Sequence, residues 1–274
     1  MGLLVMCCYR FNEKIPLKFN LSLLLFSLAL STAAQAAPSA ESEAVFQNAM
    51  RMAEANQQWL DLLIEQEHQG QTDKHVQVDN LQKMMHNIQS LQGELRKASA
   101  AGHAVATYLL ANMQEGDAAK HTEACALYQM AADQGLLAGA VTLLGSCEKA
   151  FQRFKLDDPE LVRLRSQLIK ALESPDPYSD YYPLPAMNSL CFKELKMTTV
   201  NSKRPLGSLK DTYIPTSLSF KQFRADGYYL LALKGDLENP AARDYFKQVQ
   251  TLTSDCLDPM SLGVLFNSME DKVQ

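Results

Sequence analysis

The sequence has no surplus of positive charge. Its 26 Lys+Arg stand against 31 Asp+Glu, a formal net charge of −5. A phosphate backbone needs a basic face, so this balance argues against a nucleic-acid binder. Long apolar stretches are missing too. The one strongly apolar run, LSLLLFSLAL at residues 21–30, has ten residues, where a spanning helix needs about 20. With 47% hydrophobic and 21% charged residues, the chain is neither an acidic disordered polymer nor collagen-like.

The usual catalytic signatures are also absent. His68, His75, His86, His103 and His121 never form His-Glu-x-x-His. No Gly-x-Ser-x-Gly elbow, phosphate-cradling glycine loop or dinucleotide fingerprint occurs. Ser146-Cys147-Glu148-Lys149 is a Ser-x-x-Lys by its letters, but no Lys-Thr-Gly or Ser-Asp-Asn accompanies it. It also falls where a helix should end, whereas that nucleophile opens one. His75, Asp79 and His86 share a helical face, read as a solvated polar face rather than a metal seat. No catalytic residue, metal or cofactor is assigned, and the chain is not expected to be an enzyme.

What is present begins with an export signal. Arg10, Lys14 and Lys18 precede the apolar run, and Ala34-Gln35-Ala36 follows it with small residues at both cleavage-determining positions. Residues 1–36 are therefore read as a signal peptide, leaving a periplasmic or secreted chain with no membrane span. Four cysteines remain after cleavage: Cys125, Cys147, Cys191 and Cys256. An even number in an exported chain reads as two disulfides.

Residues 37–100 read as a long helical hairpin. From Glu41 to Gln69 there is neither Gly nor Pro, Ser39 is a candidate N-cap, and Val45, Ala49, Met52, Trp59 and Leu63 recur at helical spacing. Gly70 interrupts, and a second helix starts near Asp73. Its stripe of Leu81, Met84, Ile88, Leu91, Leu95 and Ala98 predicts one narrow apolar seam against the first helix.

Residues 101–173 carry a repeat. Ala104-Val105-Ala106 through Leu110-Ala111 returns 34 residues later as Ala138-Gly139-Ala140 through Leu144-Gly145. Between them lies Glu123-Ala124-Cys125-Ala126-Leu127-Tyr128, continuing to Ala131-Ala132-Asp133-Gln134-Gly135. Small residues at 124, 131 and 132 admit a second helix, and Gly135 suits a helix end. A period in the thirties with two helices per unit signals an α-solenoid. The stretch resembles the SEL-one-like repeat family, relatives of the tetratricopeptide repeat. Gly102-His103-Ala104-Val105-Ala106 and Leu110-Ala111 fit that family's first helix. Glu123-Ala124, Leu127-Tyr128, Ala131-Ala132 and Gln134-Gly135 fit its second. Ala111 stands where the family prefers Gly, and one extra residue separates Gly135 from Ala138. The resemblance implies stacked helix pairs with a concave face for peptide or protein segments.

Asp158-Pro159 opens a helix with the stripe Leu161, Leu164, Leu168 and Leu172. Residues 174–217, with six prolines, read as an irregular insertion holding a short helix at 189–196. Tyr178, Tyr181 and Tyr182 in it are candidate partner contacts, the alternative being that they pack on their own domain. In residues 218–274, Tyr229-Leu230-Leu231-Ala232 repeats Tyr108-Leu109-Leu110-Ala111, Asn239-Pro240 opens a helix, and Asp258-Pro259 opens a last one through Met269.

Helix spacing also orders the cysteines. With a turn near Gly135, Cys125 and Cys147 lie about 15–18 Å from it along antiparallel axes at 1.5 Å per residue, nearly level. They are expected to pair, leaving Cys191 with Cys256. Four free thiols are the alternative. The expected fold is all-α, a helical hairpin followed by a short solenoid of helix pairs. The expected function is a non-catalytic periplasmic or secreted interaction module for an envelope protein or peptide. The alternatives are a hydrolase-like envelope enzyme whose site is assembled from distant residues, and a structural subunit of an envelope complex.

Overall fold

A computed structural model describes residues 37–70, 74–115, 118–147, 156–186, 189–192, 216–236 and 239–256. The expected signal peptide and the expected helix at 258–269 lie outside them. The chain is all-α, with one two-stranded ribbon among the described residues. No helix among the described residues is long and apolar enough to cross a membrane.

Helix α1 (Ala40–His68) begins where Ser39 accepts the Ser42 N–H at 3.1 Å, with Glu41 and Glu43 in the first turn complementing the helix dipole. Helix α2 (Lys74–Ala100) packs back against it. At 29 and 27 residues the two make an arm about 40 Å long at 1.5 Å per residue. The seam between them is closed at the base of the arm and again towards its tip, where Leu63 of α1 is buried. Phe46, Ala49, Leu95 and Ala98 are buried, Met84 and Leu91 are half-buried, and Leu81 and Ile88 are exposed. The narrow seam expected from the sequence is thus loosest at Leu81 and Ile88 of α2.

Helix α3 (Ala104–Glu115) follows a turn at Gly102, and α5 (Leu137–Thr142) follows a turn at Gly135 after α4 (His121–Asp133). The two turns are alike. Gly102 and Gly135 have φ of +89° and +93°, a conformation costly for any residue with a Cβ. In each, the residue after glycine donates its N–H five residues back: His103 to the Ala98 carbonyl at 3.0 Å, Leu136 to the Ala131 carbonyl at 3.1 Å. Helix α5 runs on as a π-helical turn, Leu143–Cys147. At the α4–α5 crossing a Cβ on Gly139 would sit 2.8 Å from the Ala132 nitrogen, so only glycine permits this approach.

Helix α6 (Pro159–Glu173) is capped by Asp158 and buries Leu161, Leu164, Leu168 and Leu172. It aligns with α4 through polar pairs 34 residues apart, Gln167 Nε2 to Asp133 Oδ1 at 2.9 Å and Arg163 to Gln129 Oε1 at 2.9 Å. The described part of the insertion holds some regular structure. A 3₁₀ turn (Ser179–Tyr181) leads to β1 (Leu184–Ala186), which pairs antiparallel with β2 (Thr216–Leu218), Leu184 opposite Leu218. No helix forms at 189–192. The rest of that expected helix is outside the described residues. Helix α7 (Phe220–Leu233) opens with a Ser219–Gln222 capping box, and α8 (Pro240–Leu252) with Asn239 as cap. One core runs from Phe46 and Ala49 through Tyr108, Tyr128 and Leu144 to Tyr229 and Val249.

Candidate functional site

Two features join the arm to the rest of the chain: a cluster of titratable and aromatic side chains at its base, and an apolar groove along it.

The cluster centres on His103, which is fully buried. Its Nδ1 accepts the Ala106 N–H at 3.3 Å, so Nε2 carries the proton and donates to Glu43 Oε2 at 3.1 Å. The Tyr181 hydroxyl donates to the same oxygen. Phe46 stacks on the imidazole with centroids 4.0 Å apart, and Tyr181 meets it edge-on at 5.3 Å. Burial disfavours the imidazolium and holds His103 below its ordinary pKa, although Glu43 pulls the other way. Burial also works against the Glu43 charge, but hydrogen bonds from Tyr181, Gln47 and His103 outweigh it and hold that carboxyl low.

The tyrosines expected to meet a partner are instead engaged within the fold. Tyr178 is buried. The Tyr182 hydroxyl donates to Asp176 Oδ2 at 2.9 Å and accepts the Ala138 N–H at 3.0 Å, while Asp176 Oδ2 accepts the Leu137 N–H at 2.9 Å. The loop therefore caps the first two amides of α5, which no α5 residue can satisfy. Asp176 is raised by its burial against the pull of these bonds. Tyr181 is occupied at Glu43. Tyr181 and Tyr182 are half-buried, held by polar partners that local spacing does not show.

Asp226 on α7 is likewise internal. Burial pushes it up to about 6, opposed by the N–H groups of Cys191 and Leu190 and by Ser189. It accepts the Cys191 N–H at 3.0 Å. The cysteines pair as Cys125–Cys147 and Cys191–Cys256, with Cα atoms 5.6 and 4.5 Å apart. His121 Nε2 lies 3.6 Å from Cys125 Sγ. With both sulfurs bonded to each other, this group offers no thiolate to a metal. Ser146 lies in the π turn, and Lys149 is outside the described residues.

The groove is a cavity of about 600 Å³, within the range of specific binding sites. Met50, Trp59 and Leu60 of α1 face Met84, Ile88 and Leu91 of α2, with Leu109 and Met113 of α3 at one end and Pro185 and Ser217 of the ribbon at the rim. Its polar lining is amides and one hydroxyl, Asn56, Gln57, Asn87, Asn112 and Ser217, and no charged side chain lines it. Three methionines give it adaptable walls. Sequence reasoning missed this groove, since it had assigned the same α2 stripe to the α1 seam. No protein-family model, curated protein or solved structure matches this chain.

Proposed function

We propose that this chain is an exported, non-catalytic protein-interaction module built on helix pairs of the SEL-one-like kind, binding its partner through the apolar groove of the arm. The carrying observation is the division of chemistry between its surfaces. The clustered titratable groups His103, Glu43, Asp176, Tyr181 and Tyr182 are engaged with one another or with helix amides. The open cavity, by contrast, holds apolar side chains and neutral amides. Such a surface associates with apolar partners and supplies neither nucleophile nor general base. The repeat reading draws on the matched turns at Gly102 and Gly135 and on polar pairs 34 residues apart. The export reading draws on the residues 21–36 pattern.

Amino-terminal sequencing of the envelope fraction tests export: a mature chain beginning at Ala37 is expected, and an intact chain recovered from membranes overturns it. Affinity capture from envelope extract tests binding. Chain 37–274 is expected to retain a species that Met84→Glu/Leu91→Glu does not. Equal capture by both excludes the groove.

A further inference from the structure

We infer that Cys125–Cys147 is a thiol–disulfide exchange site, in which Cys147 takes the attack of a dithiol and Cys125 leaves as a thiolate beside His121. This site lies away from the groove and does not depend on the reading above. Cys125 stands one turn after His121 on α4, and His121 Nε2 is 3.6 Å from the Cys125 sulfur. The other ring nitrogen, Nδ1, is 3.4 Å from Glu115 Oε1 at the end of α3. A carboxylate on Nδ1 keeps a proton there and turns Nε2 towards the sulfur. That is the order of groups, sulfur, imidazole and orienting acid, by which an activated thiol is recognised. The site is also within reach of solvent. The His121 side chain is 44% exposed, and both sulfur-bearing residues are half-buried. The second bridge differs on both counts. Cys191 and Cys256 are buried, and the side chain at the Cys191 amide is the Asp226 carboxyl, whose charge disfavours a thiolate.

The two sulfurs are not equivalent. Cys147 closes the π turn at the carbonyl end of α5, where a negative charge is disfavoured. Cys125 has the imidazole. Cys125 is therefore the better leaving group, and Cys147 the sulfur attacked. One thiolate of the dithiol attacks Cys147 Sγ. A new S–S bond forms as the Cys125–Cys147 bond breaks, and the electron pair goes to Cys125 Sγ, which takes the Nε2 proton of the imidazolium. The second thiol of the reagent, having given its proton to solvent, attacks its own partner sulfur in the mixed disulfide. Cys147 leaves as a thiolate and is protonated from water. The dithiol is oxidised to its disulfide, and the bridge gains two electrons. Burial raises the Glu115 carboxyl while the imidazole pulls it back down, so the carboxylate and the imidazolium favour each other. The other charged groups on the packed elements are Lys120 in the 3₁₀ turn (Ala118–Lys120), Glu123, Arg163 and Lys234. Glu123 accepts from Gln114 at 2.9 Å, Arg163 is bonded to Gln129, and Lys234 donates to the Leu144 carbonyl at 2.7 Å.

Dithiothreitol serves as the dithiol. Folded chain 37–274 is exposed to it, quenched in acid, alkylated and peptide-mapped over time. Cys125–Cys147 is expected to open about tenfold faster than Cys191–Cys256, or more. The opening rate, divided by the thiolate fraction of the reagent, is expected to rise as pH falls from 8 to 5.5, because the imidazolium supplies the proton. In His121→Gln that rise is expected to vanish and the rate at pH 6 to fall about tenfold. Glu115→Gln, which removes the orienting charge, is expected to flatten the profile in part. Circular dichroism and urea denaturation of both variants report whether the fold is kept. Wild type carries a test that needs no variant. After selective reduction, Cys125 is expected to react with iodoacetamide with a midpoint below the ordinary thiol value of about 8.5. A monothiol, glutathione, is expected to form its mixed disulfide on Cys147. Equal opening of the two bridges, or earlier opening of Cys191–Cys256, overturns the inference. A flat corrected profile in wild type does so too, and so does a Cys125 midpoint at or above the ordinary value. Glutathione found on Cys125 overturns the assignment of attacked and leaving sulfurs.

Discussion

Tyr108 and Thr142, 34 residues apart on α3 and α5, are joined hydroxyl to hydroxyl at 3.3 Å. The Tyr108 proton is committed to the Pro185 carbonyl at 2.7 Å, so Thr142 donates to Tyr108. Asn112 donates to the same Pro185 oxygen at 3.1 Å and accepts from Tyr128 at 2.7 Å. These two side chains fasten β1 to the helix pairs. Tyr108→Phe leaves the Pro185 carbonyl its Asn112 bond, and a cost of about 1–2 kcal/mol is expected. Asn112→Ala strips partners from Tyr128 and Pro185 at once and is expected to cost more. Urea denaturation ranks the two, and a milder Asn112 variant would show that β1 is held by something else.

Two helical glycines should respond to alanine with opposite signs. At Gly139 the new Cβ meets backbone, the Ala132 nitrogen at 2.8 Å and Ala131 carbons at 3.0 and 3.1 Å. Helices α4 and α5 must then move apart, and a loss of about 1–3 kcal/mol is expected. At Gly93, inside α2, nothing lies within 4 Å. There alanine only restricts the unfolded chain, and a gain of about 0.5–1 kcal/mol is expected. Thermal melts of both variants check the pair. A stable Gly139→Ala protein would contradict the close crossing.

His103 sets a pH dependence with a defined sign. Burial holds its folded-state pKa below 6.5, so between that lower value and 6.5 the unfolded chain binds more protons. Stability from this group is present above about pH 6.5 and is lost as pH falls towards the folded value. Asp226, raised to about 6, acts in the opposite direction, as does Asp176. The clean quantity is therefore the difference between wild type and His103→Asn, in which both carboxyls cancel. Asparagine can still cap Ala106 but does not titrate. The stability advantage of wild type is expected to shrink between pH 7.5 and 5.5, read from denaturation at each pH. A constant difference would mean that the imidazole stays accessible to water.

Much of the helical framework was open to reading along the chain, because its signals are local. Ser39, Asp158 and Asn239 cap helices as their side chains dictate. Gly135 ends α4, and the Leu161–Leu172 stripe is buried. What escaped reading depends on residues far apart. Asp176 and Tyr182 cap α5 from about 40 residues away, and β1 finds β2 across the insertion. The α2 stripe has the right period for a seam, but period alone does not say which helix covers it. That ambiguity hid the groove. Likewise the sequence leaves open whether Tyr178 and Tyr181 meet a partner or pack on their own domain, because His103 and Glu43, their neighbours in space, are distant in sequence.

The two disulfides should differ in what they contribute. Cys125–Cys147 closes a separation of 22 residues and Cys191–Cys256 one of 65. In the chain-entropy account each bridge acts by restricting the unfolded state, more so for the longer loop, giving about 3 and about 4 kcal/mol respectively. The first links α4 to the π turn that ends α5, elements already packed together through Gly139. Its removal should therefore lower stability while leaving the helices in place. The second ties the Cys191 segment, held by Asp226, to the chain beyond α8, where fewer helical contacts compensate. Paired serine variants, Cys125→Ser/Cys147→Ser and Cys191→Ser/Cys256→Ser, are expected to unfold at lower urea in that order, the second being the less stable. Non-reducing peptide mapping of wild type must first find these two links. A Cys125–Cys191 or Cys147–Cys256 peptide would contradict the level placement of α4 and α5, and with it the helix-pair repeat.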